Sequence, residues 1–280
     1  MLDYQIIADS SCEMSDDLRE AARGKNVPLI LRIGEKEFID DENLDIADYL
    51  RQVDESKERI TSACPSPDAF AQAFKNSEAE NVFSITLSSR LSGSYSSAVM
   101  GAQIAEEESD KKVHIFDSKS ASAGEMLIAI KIREFVEKGL DRAEIIEKVE
   151  NFIKEMKTHF VLETTDYLVK NGRIPSLLGK AVTLLNIKFV LGDDGDGKIK
   201  IFSKAKGFNA AIKRMIEVIG EQSKNLHERT LVITHCENEA AAQYVAKAVK
   251  ELYNFKEIII SKTSGLSSMY AGRGGVILAF

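Results

Sequence analysis

The sequence lacks several features that mark metal, redox and disulfide-rich proteins. Its 280 residues include only three cysteines, which lie far apart and form neither a CxxC pair nor a disulfide framework. Only four histidines occur, and no two of them have the spacing of a metal site such as HExxH. We therefore expect no bound metal and a reducing, cytoplasmic location.

Long apolar runs and an excess of basic charge are also missing. No apolar stretch approaches the roughly 18 residues of a membrane span, and residues 1–8 hold no basic segment that would begin a signal peptide. The 37 Lys and Arg against 44 Asp and Glu give a net charge of −7, which disfavours nucleic-acid binding. The chain contains no Walker lysine loop and no GxGxxG loop, so we expect no nucleotide and no other cofactor.

The order of apolar runs predicts an α/β protein whose first part is a three-layer domain with a parallel sheet. Short buried strands alternate with helical patterns, which is typical of a parallel sheet covered on both faces. The predicted strands are 4–8, 27–33, 81–86 and 112–117, and the predicted helices lie near 66–76, 92–107, 121–138 and 141–157.

The second half predicts a mixed sheet. A strand at 159–163 precedes a hairpin that turns at 192–197, and the hairpin strands are 187–191 and 198–202. The remaining predicted elements are strands 230–234, 256–261 and 276–280 with a helix at 238–252. Because the order of elements changes here, we predict two domains, residues 1–157 and 158–280, with a ligand between them.

The turns after the first-half strands are rich in hydroxyl groups. Serines and threonines cluster in 9–11, 61–67, 87–94 and 118–124. In an open α/β sheet such turns line the crevice where ligands bind, and they also present the amides of helix N-termini. Helix capping explains any one of these residues, but a cap needs a single hydroxyl and these turns hold several. With Arg90 and Lys119 as their only cations, they suit a carboxylate better than a triphosphate.

A serine hydrolase is the alternative interpretation, with Ser92 as the nucleophile of an esterase or acyltransferase. Such enzymes use a strained GxSxG elbow and a histidine base. The chain contains no GxSxG, and none of its histidines falls in the hydroxyl-rich turns.

Two stretches in the hydroxyl-rich turns carry longer motifs. Residues 61–67 are TSACPSP and residues 89–98 are SRLSGSYSSA. These stretches resemble the TSxPSP motif and the SxxLSGTYxSA segment of the DegV family of bacterial fatty-acid-binding proteins. Three further stretches resemble its opening DS turn, its DSxxxSxG segment and its YLxxGGRI element: 9–11, 117–124 and 167–174. The motifs run in order across nearly the whole chain.

The resemblance implies a cytoplasmic carrier, expected to be a monomer, rather than an enzyme. Such proteins hold a long-chain fatty acid between two α/β domains and hand it to a separate ATP-binding fatty acid kinase subunit, which makes an acyl phosphate. The family's carboxylate ligands imply Thr61 and Ser92 here, with Gly93 leaving its amide approachable. The neighbouring hydroxyls Ser62 and Ser94 join the candidate ligand-binding set.

The sequence departs from the family near its C-terminal end. Where the family has HxGPGA with a ligand histidine, this chain has 270–275, YAGRGG, and Tyr270 is the candidate replacement. The resemblance implies that Lys206 takes the place of the family's docking arginine. Arg173 is either a solvated surface charge or part of a basic docking face on this acidic protein, and Lys170, Lys180 and Lys204 are candidates for the same face. Apolar residues that could form either a tail tunnel or ordinary core are Leu29, Leu31, Phe160, Leu162, Leu184, Leu185 and Ile187.

Overall fold

The computed structural model describes residues 2–175, 186–223 and 225–280. The strands are β1 (Tyr4–Asp9), β2 (Lys25–Val27), β3 (Ile30–Ile33), β4 (Lys36–Ile39), β5 (Ile60–Ala63), β6 (Asn81–Thr86), β7 (Lys112–Asp117), β8 (Thr158–Val161), β9 (Ile187–Asp193), β10 (Ile199–Lys206), β11 (Thr230–His235), β12 (Glu257–Lys262) and β13 (Val276–Ala279). The α-helices are α1 (Asp16–Ala21), α2 (Ile46–Glu55), α3 (Pro67–Lys75), α4 (Ser94–Glu108), α5 (Ala123–Glu137), α6 (Arg142–Glu155), α7 (Asp166–Lys170), α8 (Phe208–Gln222), α9 (Glu239–Tyr253) and α10 (Gly265–Ala271). A short 3₁₀ helix covers Leu226–Glu228. The candidates Lys180, Leu184 and Leu185 lie outside the described residues.

The first half contains a parallel sheet with strand order β2-β1-β6-β7. Apolar side chains alternate across β1, where Ile6 packs on one face with α5 and Ile7 packs on the other with α3 and α4. The strand order reverses between β1 and β6, so the turns after these strands border the crevice where open α/β sheets bind ligands.

A small antiparallel sheet, β4-β3-β5, is an addition that the sequence did not predict. The predicted strand 27–33 is wrong because the chain bends at Pro28 and divides it between two sheets. Val27 pairs with Asp9 in the parallel sheet, whereas Ile30 pairs with Ala63 in the antiparallel one. Proline cannot donate a ladder hydrogen bond, which favours such a break.

The second half forms a mixed six-stranded sheet in the order β10-β9-β8-β13-β11-β12. Its β9–β10 hairpin turns where the sequence places it, and β11 and β12 pair in parallel. Helices α8 and α9 cover one face of this sheet. The α/β class, with one parallel and one mixed sheet, is therefore confirmed.

Helix α5 lies between the two large sheets. Its apolar side chains share one core with residues of β1 and β6 and with Val232 and Ala279 from the second half. The neighbouring α6 begins with the capping box that the sequence predicts, in which Asp141 and Glu144 each accept a hydrogen bond from the other's backbone amide at 2.9 Å. The domain boundary at residue 157 stays a prediction.

Candidate functional site

A cavity lies between the carboxyl edge of the parallel sheet and the mixed sheet. It encloses about 890 Å³ of empty space, part of which is open to solvent. Most of its lining is apolar and comes from both halves of the chain: Leu29, Leu87, Leu91, Ala121, Phe160, Leu162, Leu168, Ile199, Leu266, Ala271 and Ile277. Among the candidate tail residues, Leu29, Phe160 and Leu162 line the cavity, whereas Leu31 and Ile187 do not.

Four polar side chains meet at one end of this cavity. Ser62, Ser92, Arg173 and Tyr270, which we call the head-group end, all contribute to the lining. The Oγ of Ser62 lies 3.4 Å from the phenol oxygen of Tyr270. The guanidinium of Arg173 lies over the Tyr270 ring, 5.9 Å from its centroid. The two hydroxyls and the cation therefore come from three separate elements that converge here.

The turn before α4 positions Ser92. The backbone amide of Ser92 donates to Ser88 O at 3.0 Å, and its Oγ accepts from the amide of Ser94 at 3.2 Å. Ser94 is buried, with its Oγ 3.2 Å from that of Ser92, and it does not line the cavity. Gly93 is the exposed N-cap of α4 and is also absent from the lining. Ser94 therefore supports Ser92 from behind.

Buried Asp9 ties the same turn to the end of β1. It accepts the amides of Leu87 at 2.9 Å and Ser11 at 3.2 Å. Burial raises the pKa of the Asp9 carboxyl, and the Ser94 hydroxyl is among the groups that oppose the shift. The predicted DS turn thus shapes the site because the Asp9 carboxyl accepts these backbone amides, although Asp9 itself does not line the cavity.

Two hydroxyls of β5 face in opposite directions. Ser62 lines the cavity, whereas its neighbour Thr61 does not, because successive side chains in a strand point to opposite faces. The structure therefore brings Ser62 rather than Thr61 to the head-group end.

Arg173 is held from two sides. Its Nε donates to Leu91 O at 3.1 Å, and its Nη1 donates to Asn171 O. The side-chain amide of Asn171 in turn donates to Ile60 O at 3.1 Å. The side chain therefore reaches the cavity from the end of α7, where the sequence suggested only a docking residue. Lys206 is exposed at the end of β10, away from the cavity lining.

The sequence did not single out Ser267, which lines the cavity from α10 together with Ser11 and Ser122. The sequence could have indicated Ser267, because it precedes Tyr270 by three residues and a helix places such a pair on one face. None of the four histidines lines the cavity. The described residues hold no group of three or more His, Cys, Asp or Glu side chains that could bind a metal, and no helix among them is long and apolar enough to cross a bilayer.

A sequence model of the DegV family, described as uncharacterised proteins, matches residues 3–280. The chain belongs to the DegV family. A DegV domain-containing protein of Streptococcus pyogenes serotype M1 is 33% identical over 280 residues, covering 99% of each chain.

Solved DegV structures have the same fold. A DegV family protein from Ruminococcus gnavus, described with vaccenic acid, is 36% identical, with a TM-score of 0.94 and 99% of each chain covered. The Fatty Acid Kinase (Fak) B3 protein of Streptococcus pneumoniae, loaded with linoleic acid, is 32% identical, with a TM-score of 0.92 and coverage of 100% of this chain and 99% of that one. The family resemblance seen in the motifs is confirmed.

Proposed function

We propose that this protein binds a long-chain fatty acid in the cavity. The carboxylate lies at the head-group end, where Ser62, Ser92 and Tyr270 offer hydroxyl donors, and the acyl tail occupies the apolar part. The observation that carries the proposal is a mostly apolar cavity with hydroxyls that converge at one end, in a chain whose similar structures are described with vaccenic and linoleic acid.

The polarity of the cavity suits such a ligand. A mostly apolar lining with a few polar groups that fix the ligand's orientation is typical of small-molecule pockets. Each buried CH₂ contributes about 0.8 kcal/mol, so the tail supplies most of the binding energy and neutral hydroxyls suffice to orient the carboxylate. Arg173 adds a positive charge at the same end, which strengthens hydrogen bonds to an ionised acid.

We also propose that the loaded protein presents its fatty acid to a separate ATP-dependent kinase subunit, which forms the acyl phosphate. The protein then acts as a cytoplasmic, monomeric carrier without a metal or nucleotide of its own. Support comes from the similarity to the Streptococcus pneumoniae Fatty Acid Kinase B3 protein. Exposed Lys206 and half-buried Arg173 are the proposed docking residues.

The two docking residues should behave differently, because only Arg173 lines the cavity. We expect Lys206→Glu to lower acyl phosphate formation by a kinase subunit while fatty acid affinity stays unchanged. Arg173→Ala should lower both. Equal acyl phosphate formation by Lys206→Glu and the unaltered protein would remove Lys206 from the docking surface.

The direct test is organic extraction of gently purified protein, followed by mass spectrometry. We expect about one long-chain fatty acid per protein molecule, acquired from the expression host. Background lipid alone, together with no uptake of added fatty acid, would reject the carrier function.

No observation favours the hydrolase alternative. A serine nucleophile needs an adjacent base, and the described residues place no histidine on the cavity. The hydroxyl of Ser94 lies 3.2 Å from Ser92 Oγ and is no stronger a base than Ser92 itself. Labelling of Ser92 by a fluorophosphonate probe would reopen this alternative.

A further inference from the structure

The cavity has a second polar region, distinct from the head-group end. Ser11 from the turn after β1, Ser122 from the position before α5 and Ser267 from α10 line it, and we call these three residues the serine branch. Ser267 precedes Tyr270 by three residues on α10, which separates their Cβ atoms by about 5–6 Å along one helix face. The serine branch therefore lies beside the path of the acyl chain, one helical turn from the head-group end.

The three hydroxyls differ in whether they already have partners. Ser11 Oγ donates to Glu125 Oε1, and Ser122 Oγ lies 2.7 Å from Thr234 Oγ1. Ser267 is only 7% exposed, yet its Oγ has no hydrogen-bond partner among the described residues. A buried hydroxyl without a partner is unusual in a folded protein and calls for an explanation.

Two buried carboxyl groups lie next to the serine branch. In each of them one oxygen has no hydrogen-bond partner among the described residues. Glu13 is 7% exposed, and its Oε1 accepts the amide of Ser264 at 3.2 Å, while its Oε2 has no partner in the described structure. Glu125 is fully buried, and its Oε2 is likewise unpartnered. Burial raises the pKa of Glu13 to about 7 and that of Glu125 well above its usual range. The hydroxyls of Ser267 and Ser122 oppose the shift of the Glu13 pKa, so both lie close to its carboxyl group.

These surroundings select the chemistry of what enters the serine branch. A plain methylene chain would offer the Ser267 hydroxyl no hydrogen-bonding group. A hydroxyl group both donates and accepts, so it can accept a hydrogen bond from Ser267 or donate one to it.

We propose that the serine branch receives a hydroxyl group carried on the acyl chain, so that the preferred ligand is a hydroxylated long-chain fatty acid. The inference rests on the proposed fatty acid binding and narrows its ligand class. It predicts the sign of a preference, because a wholly apolar cavity would bind the hydroxylated acid more weakly than the plain one, through loss of water from the hydroxyl.

The test measures displacement of a fluorescent long-chain fatty acid from the delipidated full-length protein. The competitors are octadecanoic acid and a series of hydroxyoctadecanoic acids that differ in the carbon bearing the hydroxyl. We expect one position in the series to bind about five- to tenfold more tightly than octadecanoic acid, as one added buried hydrogen bond allows.

Variants assign the preference to the serine branch. Ser267→Ala should abolish the preference, so that the favoured hydroxylated isomer no longer binds more tightly than octadecanoic acid. Ser84→Ala is the matched control, because Ser84 on β6 is also fully buried with an unpartnered hydroxyl but does not line the cavity. It should keep the preference of the unaltered protein.

The possible failures are distinguishable. Tight binding of octadecanoic acid with no hydroxylated isomer preferred would overturn this inference and leave the proposed function standing. A preference that survives Ser267→Ala would also overturn it. If no fatty acid displaces or replaces the probe, the proposed function itself fails.

Discussion

At the scale of single residues, the pleat of β5 decides which hydroxyl reaches the cavity. The stretch 61–67 has seven residues where the family motif TSxPSP has six, so counting from its two prolines places Ser62, not Thr61, on the motif's threonine. A shift of one residue moves a side chain to the opposite face of a strand. The sequence therefore predicts a hydroxyl ligand on this strand, but the strand geometry is needed to say which residue supplies it.

This difference gives a paired prediction. Ser62→Ala should weaken fatty acid binding by about 1.5–3 kcal/mol, the usual contribution of a hydrogen bond to a charged group. Thr61→Ala should change it by less than about 0.5 kcal/mol, because Thr61 faces away from the cavity. Displacement of a fluorescent fatty acid measures both. A larger loss in Thr61→Ala would mean that the bound state uses the other face of β5.

Tyr270 carries the second residue-scale prediction. Its phenol lies 3.4 Å from Ser62 Oγ and can donate a neutral hydrogen bond to the carboxylate. Tyr270→Phe keeps the ring under the Arg173 guanidinium and removes only the donor, so it should weaken binding by about 0.5–1.5 kcal/mol.

The pH dependence of Tyr270→His supplies the control. Imidazole gains a proton between about pH 5 and 8, which strengthens its hold on a carboxylate, whereas a phenol stays neutral there. Binding by Tyr270→His should therefore tighten between pH 7.5 and 6 more than binding by the unaltered protein does. Unchanged affinity in Tyr270→Phe and a matching pH profile in Tyr270→His would remove Tyr270 from the site.

At the scale of elements, the sequence predicts many of the long periodic segments but misses the 15-residue helix α8 and the small antiparallel sheet. Helix α2 was not predicted, although Ile46, Tyr49, Leu50 and Val53 follow the i, i+3, i+4, i+7 pattern of a helix. Strands β3, β4 and β5 have four residues each, which is too short for an alternating pattern to stand out. Their pairing depends on contacts between distant parts of the chain.

The β9–β10 hairpin contributes its tip to the cavity, and Gly197 fixes the position of that tip. Its carbonyl accepts from Ser88 Oγ at 2.7 Å, its φ is +89°, and an added Cβ would lie 2.3 Å from Ser88 Oγ. Gly195 in the same turn has φ +93° but open space around it. Replacing either glycine by alanine would therefore strain the backbone, because both have positive φ. Only at Gly197 would the added Cβ also clash with Ser88.

We predict that Gly195→Ala lowers the free energy of unfolding by about 1–3 kcal/mol, as backbone strain at positive φ requires. Gly197→Ala should lower it further and also weaken fatty acid binding, because the clash moves the hairpin tip off Ser88. Thermal unfolding and probe displacement measure the two effects. Equal behaviour of the two variants would show that the close contact with Ser88 does not hold the hairpin.

At the scale of the whole molecule, α5 joins the two sheets into one structure. Eight consecutive residues, 123–130, are buried, so the helix has no solvent face along this stretch. A helix that is apolar all round indicates burial on both sides, and this stretch is apolar except for Glu125. The sequence shows such a run without showing what covers it. The covering sheets come from both halves of the chain, which is why the cavity beside α5 draws its lining from both.

The same interior buries carboxyl groups, which makes the stability of the protein depend on pH. Burial raises the pKa of Glu13 from 4.5 to about 7. A carboxyl group whose pKa is raised by folding contributes stability that is fully present below the unfolded pKa and is lost as the pH rises through the folded one. For Glu13 this loss falls between about pH 4.5 and 7. Burial also raises the pKa of Asp40 to about 6, so Asp40 adds a loss of stability over a slightly lower pH range.

We therefore predict that Glu13→Gln flattens the pH dependence of unfolding in delipidated protein. Between pH 5 and 8 the unaltered protein should lose about 2 kcal/mol more unfolding free energy than Glu13→Gln, because glutamine cannot ionise. Urea unfolding at the two pH values measures this, with exposed Glu107→Gln as the control that should follow the unaltered protein. Parallel pH profiles for Glu13→Gln and the unaltered protein would show that Glu13 is already charged inside the fold, and that the pocket behind Ser267 is more polar than its burial implies.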